Sequence, residues 1–290
     1  MSGDFLTTMA AGSRERTAAA RAVSSERELR AKIRDLVAAP SLRLANEGFD
    51  LIAEMKLRSP AVGQLRSAID NHLEQRVTQY AEAGAAAVSV LTEPSRFDGS
   101  LDHLQRAAAV LAPLGIPAMR KDFLVDPYQV LEARAAGAGG VLLILRMLDA
   151  SELGALLDEA LEQNFFVLLE AFDEQDIDAA LRLLEPRHLL KAEAARCRVL
   201  LGVNCRDLVT LQVIPGRLED MASKLPGSLP RVAESGLTTA DDARRLAAAG
   251  YDLALVGSAL MSGEHPRQLA EQMLQAARAA RRNNRSGPTG

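Results

Sequence analysis

The stretch Ala249-Gly250-Tyr251-Asp252-Leu253-Ala254-Leu255-Val256-Gly257-Ser258 holds the pattern that decides the fold. A helical run opened by Thr238-Thr239-Ala240-Asp241-Asp242, with acids in its first turn to complement the macrodipole, stops at Gly250. Glycine can take the positive φ that ends a helix and turns the chain. A short apolar run over Leu253–Gly257 follows and gives way at once to Ser258. Such an unbroken run suits a parallel strand covered by helices on its outer face.

The same unit recurs along the chain. Ala83-Gly84-Ala85 and Ala136-Gly137-Ala138 repeat the helix stop ahead of a strand. The other candidate strands are Asp50–Met55, Ala87–Leu91, Ala118–Lys121, Val141–Leu145, Phe166–Glu170, Leu200–Asn204 and Arg231–Glu234, which with Leu253–Gly257 makes eight. Between them, Ser100 caps a helix to Leu111, Asp126-Pro127 starts one to Ala136, and Asp149 leads into Leu153–Leu161. Eight β-then-α units with no dinucleotide fingerprint predict an α/β fold of (β/α)8 TIM-barrel type over an open doubly wound sheet. Helical patterns at Arg14–Val23 and Glu26–Val37 predict an N-terminal extension, residues 1–48, packed on a barrel spanning 49–282. Residues 283–290 read as a disordered tail.

Composition narrows the function. With 48% apolar residues but no Trp and 3% aromatics, Leu, Val, Ala and Ile must make the core. A net charge of −4 supplies no basic field, so no nucleic-acid partner is expected. No run approaches a membrane span, and Met1-Ser-Gly-Asp-Phe-Leu lacks a signal peptide's basic start, so a cytoplasmic protein is expected. Cys197 and Cys205 read as reduced thiols without metal spacing. Neither metal nor cofactor is expected, and the chain is expected to be a monomer or weak homodimer.

Ionisable side chains directly after buried strands are costly to desolvate unless paired or used. Six runs break off in this way: Glu54-Met55-Lys56, Arg120-Lys121-Asp122, Glu170, Asn204-Cys205-Arg206-Asp207, Glu234-Ser235-Gly236 and Gly257-Ser258. In an eight-fold barrel the C-terminal strand ends build one site. Glu54 and Lys56 share one side of an extended strand, either as site residues or as an ion pair capping the core. Lys121, near Glu54, Glu170 or Glu234, fits a general acid or an electrostatic clamp. Arg120 and Asp122 point the other way and tie strand to helix. Burial disfavours an ionised Glu170 unless a lysine offsets it, which suits proton transfer. Asn204 and Arg206 again share a side, an orienting amide beside a carboxylate-reading fork, although Asp207 is an alternative, structural partner for Arg206. The small residues of Glu234-Ser235-Gly236 and Gly257-Ser258 expose backbone N–H groups on the seventh and eighth loops, where barrels of this class hold phosphate.

Placed in order, these segments resemble the indole-3-glycerol phosphate synthase family. The resemblance runs through Glu54-Met55-Lys56-Leu57-Arg58-Ser59-Pro60, Ser89-Val90-Leu91-Thr92-Glu93 with Phe97-Asp98-Gly99-Ser100, and Arg120-Lys121-Asp122-Phe123 with Asp126-Pro127-Tyr128-Gln129. It continues in Asn204-Cys205-Arg206-Asp207-Leu208, Val232-Ala233-Glu234-Ser235-Gly236 and Val256-Gly257-Ser258, covering roughly residues 5–280. It implies a carboxy-lyase of tryptophan biosynthesis acting on 1-(2-carboxyphenylamino)-1-deoxyribulose 5-phosphate, a small phosphosugar–anthranilate, without cofactor. By that resemblance Lys121 would protonate the ketose oxygen, Lys56 would bind the anthranilate carboxylate, and Glu170 would move protons in the dehydration. Glu54 and Asn204 would position the lysines, the anilino nitrogen and the sugar hydroxyls. Ser59, Gly236, Gly257 and Ser258 would hold the phosphate, while Pro60, Phe97, Phe123 and Leu208 would form the aryl slot. Arg206, Glu234 and Ser235 would complete the polar rim.

Four features depart from the family's pattern: Ala61 in place of a second Ser, Leu57 in place of a basic residue, Cys205 in place of Asn or Ser, and a long Arg182–Val199 connection. Cys205 should be tolerable, whereas Ala61, Leu57 and the long connection motivate a non-catalytic or weakly active paralogue; a synthase of a specialised indole pathway is a further alternative. The retained Lys56, Lys121 and Glu170 weigh against mere binding. Another phosphosugar barrel, such as phosphoribosylanthranilate isomerase or the tryptophan synthase α subunit, is also an alternative. The isomerase would be expected to use a Cys/Asp pair at strands one and six, but the first strand carries Glu54 and Lys56.

Overall fold

A computed structural model describes residues 2–46, 48–59, 63–64, 72–190, 198–207 and 210–285. Eight parallel strands close into a barrel. They are β1 (Asp50–Met55), β2 (Ala87–Leu91), β3 (Ala118–Lys121), β4 (Gly140–Ile144), β5 (Phe166–Ala171), β6 (Val199–Asn204), β7 (Arg231–Glu234) and β8 (Leu253–Val256). Each pairs with its neighbours in sequence, and β8 closes on β1 through Asp50↔Leu253 to Ala53↔Val256. The fold is the predicted TIM barrel.

The strands read as unbroken apolar runs because both faces are buried. Leu51, Ala53 and Met55 of β1 face the helices, while Ile52 joins Met119, Leu142, Leu168, Leu200, Val232 and Leu255 inside the barrel. The helices used below are α1 (Ser2–Val23), α2 (Glu26–Arg34), α3 (Leu73–Glu82), α4 (Leu101–Leu111), α5 (Pro127–Ala135), α6 (Ala150–Glu162), α7 (Glu174–Leu184), α8 (Arg217–Ala222), α9 (Ala240–Ala249) and α10 (Pro266–Arg285). The expected caps are present. Ser100 accepts from His103 N, Asp126 from Tyr128 N and Thr239 from Asp242 N. Gly84, Gly137 and Gly250 turn the chain at φ +88°, +83° and +110°.

Several boundaries differ from the sequence expectation. α1 begins at Ser2 rather than Arg14 because Leu6, Met9 and Ala10 bury against the barrel, and tertiary packing rather than local propensity decides a helix start. α2 starts on a Ser25–Glu28 capping box and ends at Arg34, short of Val37. β4 is shifted back by one residue: Leu145 already turns into a short 3₁₀ helix. α10 continues to Arg285, past residue 282, where the sequence predicted a tail.

The N-terminal helices are bound to one sector of the barrel. Arg16 pairs with Asp122, Arg21 with Asp126 and Arg30 with Glu159. The Arg134 guanidinium donates to the Leu36 and Val37 carbonyls, and the Tyr128 hydroxyl donates to Ser24 O at 2.8 Å.

Candidate active site

The C-terminal ends of the strands surround a cavity of about 260 Å³. Glu54, Lys56, Phe97, Lys121, Phe123, Glu170, Asn204, Arg206, Glu234, Ser235, Gly236 and Ser258 all line it. Residues far apart in sequence meet here because successive strands present their ends to one rim. Glu170 sits beside Ile144 and Gly202, and Asn204 beside Glu234, in the parallel register.

Lys121 is the hub. Its Nζ lies 3.5 Å from Glu170 Oε1 and 3.7 Å from Glu234 Oε2. Burial alone would strip its proton, but Glu170, Glu234 and Glu54 hold the ammonium charged and raise its pKa above the ordinary lysine value. Glu170 is fixed from a second side: Asn204 Nδ2 donates to the same Oε1 at 2.7 Å. Asn204 Oδ1 in turn accepts from Arg206 N at 2.9 Å, so the amide is held at both ends.

Lys56 Nζ lies 2.6 Å from Glu54 Oε1. Burial pushes the Glu54 carboxyl up, yet Lys56, Lys121 and Arg206 more than offset it and leave its pKa below the usual range. Glu234 behaves oppositely. Burial, then the charge of Glu170, push its carboxyl well above the ordinary range, with Lys121 only partly opposing. Its Oε1 has no hydrogen-bond partner among the described residues. Sequence reasoning attached a desolvated acid to Glu170 unless a lysine offset it; a lysine does reach Glu170, and the carboxyl driven towards its neutral form is Glu234.

Arg120 faces away from the cavity, as expected, whereas Asp122 borders the cavity while joining the same polar network. Arg120 donates to Gln129 O at 2.7 Å and to Thr92 Oγ1 at 3.2 Å, while Asp122 accepts from Thr92 Oγ1 at 2.7 Å. Arg206 donates to the Leu211 carbonyl, and Asp207 accepts from Thr210 N at 2.7 Å. On the seventh loop Ser235 and Gly236 adopt φ +71° and +79°. A non-glycine residue held in that region is strained, and such strain persists only where the surroundings over-determine it. The Cys205 thiol donates to Ser235 O at 3.4 Å from below this turn, and burial raises its pKa.

Aromatic walls close the cavity. The Phe97 and Phe123 rings are 6.3 Å apart, and Phe5 meets Phe123 edge-on at 5.9 Å. Phe5 and Leu6 from α1, and Phe172, were not singled out in the sequence. Phe172 was findable, two residues after Glu170 and so on the same side of an extended chain; Arg146 lies 4.8 Å over its ring. Nothing marked Phe5, since an apolar helix residue reads equally well as core. Of the remaining expected residues, Pro60, Ala61 and Leu208 lie outside the described residues, as does part of the Arg182–Val199 connection. Ser59 belongs to a two-residue strand paired with Gly63–Gln64, and Leu57 packs against the outer core.

Comparison with known proteins identifies the family. The family described as Indole-3-glycerol phosphate synthase matches residues 6–273. The "Indole-3-glycerol phosphate synthase" of Mycobacterium ulcerans (strain Agy99) is 41% identical over 233 residues, covering 80% of this chain and 79% of the relative. That of Salinibacter ruber (strain DSM 13855 / M31) is 40% identical over 223 residues, covering 77% and 76%. Among solved structures, thiamine phosphate pyrophosphorylase from Pyrococcus furiosus superposes with a TM-score of 0.56 at 16% identity, over 81% of this chain and 98% of that one. A 3-hexulose-6-phosphate synthase gives 0.55 at 16% identity, over 80% and 99%. At such identities these two structures show the shared fold alone. The family match and the identity to its members extend over most of the chain, and the chain belongs to the indole-3-glycerol phosphate synthase family.

Proposed function

We propose that the strand-end residues divide the family's reaction between them, with Lys121 as general acid. The activity is that of indole-3-glycerol phosphate synthase, a carboxy-lyase. The ring carbon bearing the carboxylate attacks the ketose carbonyl carbon, CO2 leaves with its bonding pair retained by the ring, and water is then lost to form the indole. The observation that carries the assignment is the Lys121 ammonium held between Glu170 and Glu234 inside an aromatic-walled cavity.

As attack turns the carbonyl oxygen into an alkoxide, Lys121 delivers a proton to it; the strongly basic alkoxide provides the driving force that a raised lysine pKa otherwise lacks. Lys56, kept charged beside Glu54, binds the anthranilate carboxylate until it leaves as CO2. Dehydration takes a proton from the neighbouring methylene and gives one to the departing hydroxyl. Glu170, oriented by Asn204, serves as the base. Glu234, driven towards its neutral form, is placed to return a proton to that hydroxyl or to Lys121. Arg206 and Ser235 complete the polar rim.

The phosphate is read here as held by Gly236, Gly257, Ser258 and Ser59. The left-handed turn at Ser235-Gly236 and the opening of Ser258 on the same cavity support that reading. The aryl group is placed against Phe97 and Phe123, where stacking requires no polar readout. No helix among the described residues is long and apolar enough to cross a membrane. We read the protein as a cytoplasmic monomer or weak homodimer that works without nucleic acid.

The test is to supply the carboxyphenylamino ketose phosphate and follow indole fluorescence. Steady production of the indole is expected. Binding of the substrate by folded protein without turnover would overturn the assignment in favour of a non-catalytic paralogue.

A further inference from the structure

We infer that Gly202 is a positioning residue for Glu234: the side chain it lacks leaves the space in which that carboxyl is held beside Lys121. Gly202 lies inside β6, in register with Glu170 on one side and Val232 on the other. A Cβ built on its backbone would fall 2.2 Å from Glu234 Oε1 and 3.1 Å from Glu234 Cδ. It would also lie 3.0 Å from Leu168 Cδ1. Neither neighbour has open space to retreat into, since Leu168 and Glu234 are both buried. The carboxyl makes the closer clash, and its other oxygen faces Lys121 at 3.7 Å.

The two oxygens of Glu234 therefore have unlike surroundings. Oε2 faces an ammonium, whereas Oε1 sits in a niche bounded by Gly202 and Leu168 with no partner among the described residues. A carboxyl with one oxygen in an apolar niche keeps its proton more tightly than one solvated on both sides. The charged and titratable groups that reach it are Glu170 on β5, Lys121 on β3, Glu54 on β1 and, weakly, Cys205 after β6. An alanine at Gly202 would drive the carboxyl out of the niche, away from Leu168 and into that charged cluster. The same geometry recurs at Gly257, whose Cβ would fall 2.2 Å from Glu54 Oε1. Gly257 is also read as a phosphate residue, so Gly202 isolates the effect. The inference rests on the reading of Glu234 as an acid held in its neutral form.

The experiment compares Gly202→Ala, Glu234→Asp and their combination by turnover against pH. Gly202→Ala should lower kcat by about tenfold or more while KM stays within about threefold, since a small misplacement of a reacting group is costly. The alkaline limb of its kcat profile should move to lower pH, because leaving the niche relieves the burial that is the main reason the carboxyl keeps its proton. Glu234→Asp withdraws the carboxyl by one methylene, so the double variant should recover at least about threefold over Gly202→Ala alone. A Gly202→Ala protein within twofold of the parent and with an unchanged pH profile would overturn the inference. So would a loss that shortening Glu234 does not relieve. If Gly202→Ala fails to fold, the double variant must fold, and its failure also overturns the inference. Glu234→Gln run in parallel separates the two readings: full activity there removes the acid role of Glu234, whereas an impaired Glu234→Gln beside an unimpaired Gly202→Ala removes only the positioning role.

Discussion

Arg16 Nη2 lies 2.8 Å from Asp122 Oδ1, so the N-terminal extension is tied to the residue that follows Lys121. The same guanidinium reaches Glu93 at 3.5 Å, and both acids are buried whereas the arginine is about a third exposed. Asp122 keeps Thr92, Arg120 and the Phe123 N–H as partners if Arg16 is removed. Arg16→Ala should therefore cost only about 1–2 kcal/mol in urea unfolding. It should also speed amide exchange in α1 and raise KM more than it lowers kcat, because Phe5 and Leu6 of that helix wall the cavity.

Lys121→Ala should lower kcat by at least about 10²-fold, the low end for losing a general acid. Indole fluorescence under saturating substrate reads it directly. Near-normal turnover would transfer the acid role to another group.

Lys56→Met leaves Glu54 buried without its nearest cation. Removing one member of a buried pair costs about 3–5 kcal/mol; the lower figure is expected here, since Lys121 and Arg206 still act on Glu54. Chemical denaturation measures it. A Lys56→Met protein as stable as the parent would show that the pair contributes little to the fold.

Glu234 gives a stability prediction of opposite sign to its catalytic one. Its folded pKa is raised, so the folded state binds the proton more tightly than the unfolded chain does. The stability this contributes is complete below the ordinary glutamate pKa and is lost as pH rises through the folded value. Glu234→Gln should thus raise Tm relative to the parent at alkaline pH, with a smaller gain at pH 5, while turnover falls. Glu54 runs the other way, with a lowered pKa whose stabilisation is lost as pH falls below the ordinary glutamate value. Equal Tm gains for Glu234→Gln at both ends of the range would mean that its carboxyl is not driven up by burial.

Most of the strand ends were legible because a charged or amide residue directly after an apolar run is a local signal with one economical explanation. Lys56, Lys121, Glu170, Asn204 and Glu234 all carry it, and all line one cavity. What escaped was anything whose meaning depends on a neighbour from a distant strand. Gly202 reads as one more small residue in a strand, and only the Glu234 carboxyl facing it gives it a role. Which acid sheds its charge was likewise undetermined, since Glu170 and Glu234 both follow apolar residues. The Asn204 amide and the Lys121 ammonium reach Glu170, whereas Glu234 Oε1 faces Leu168 and Gly202. The early start of α1 was hidden too, because its buried face is set by the barrel it covers.

The extension has a further consequence during synthesis. Apart from Glu93, its partners Asp122, Asp126, Tyr128, Glu152 and Glu159 lie more than about a hundred residues downstream of the α1 and α2 residues they bind. The extension therefore leaves the ribosome well ahead of the third β–α unit, which carries Asp122, Asp126 and Tyr128 and follows several seconds later at ordinary elongation rates of about 5–20 residues per second. Until then Leu6 and Met9, buried in the folded protein, have no completed surface to pack on. All of these partners precede β5 at Phe166, so the contacts that hold the roof of the active site are encoded ahead of the second half of the barrel beneath it.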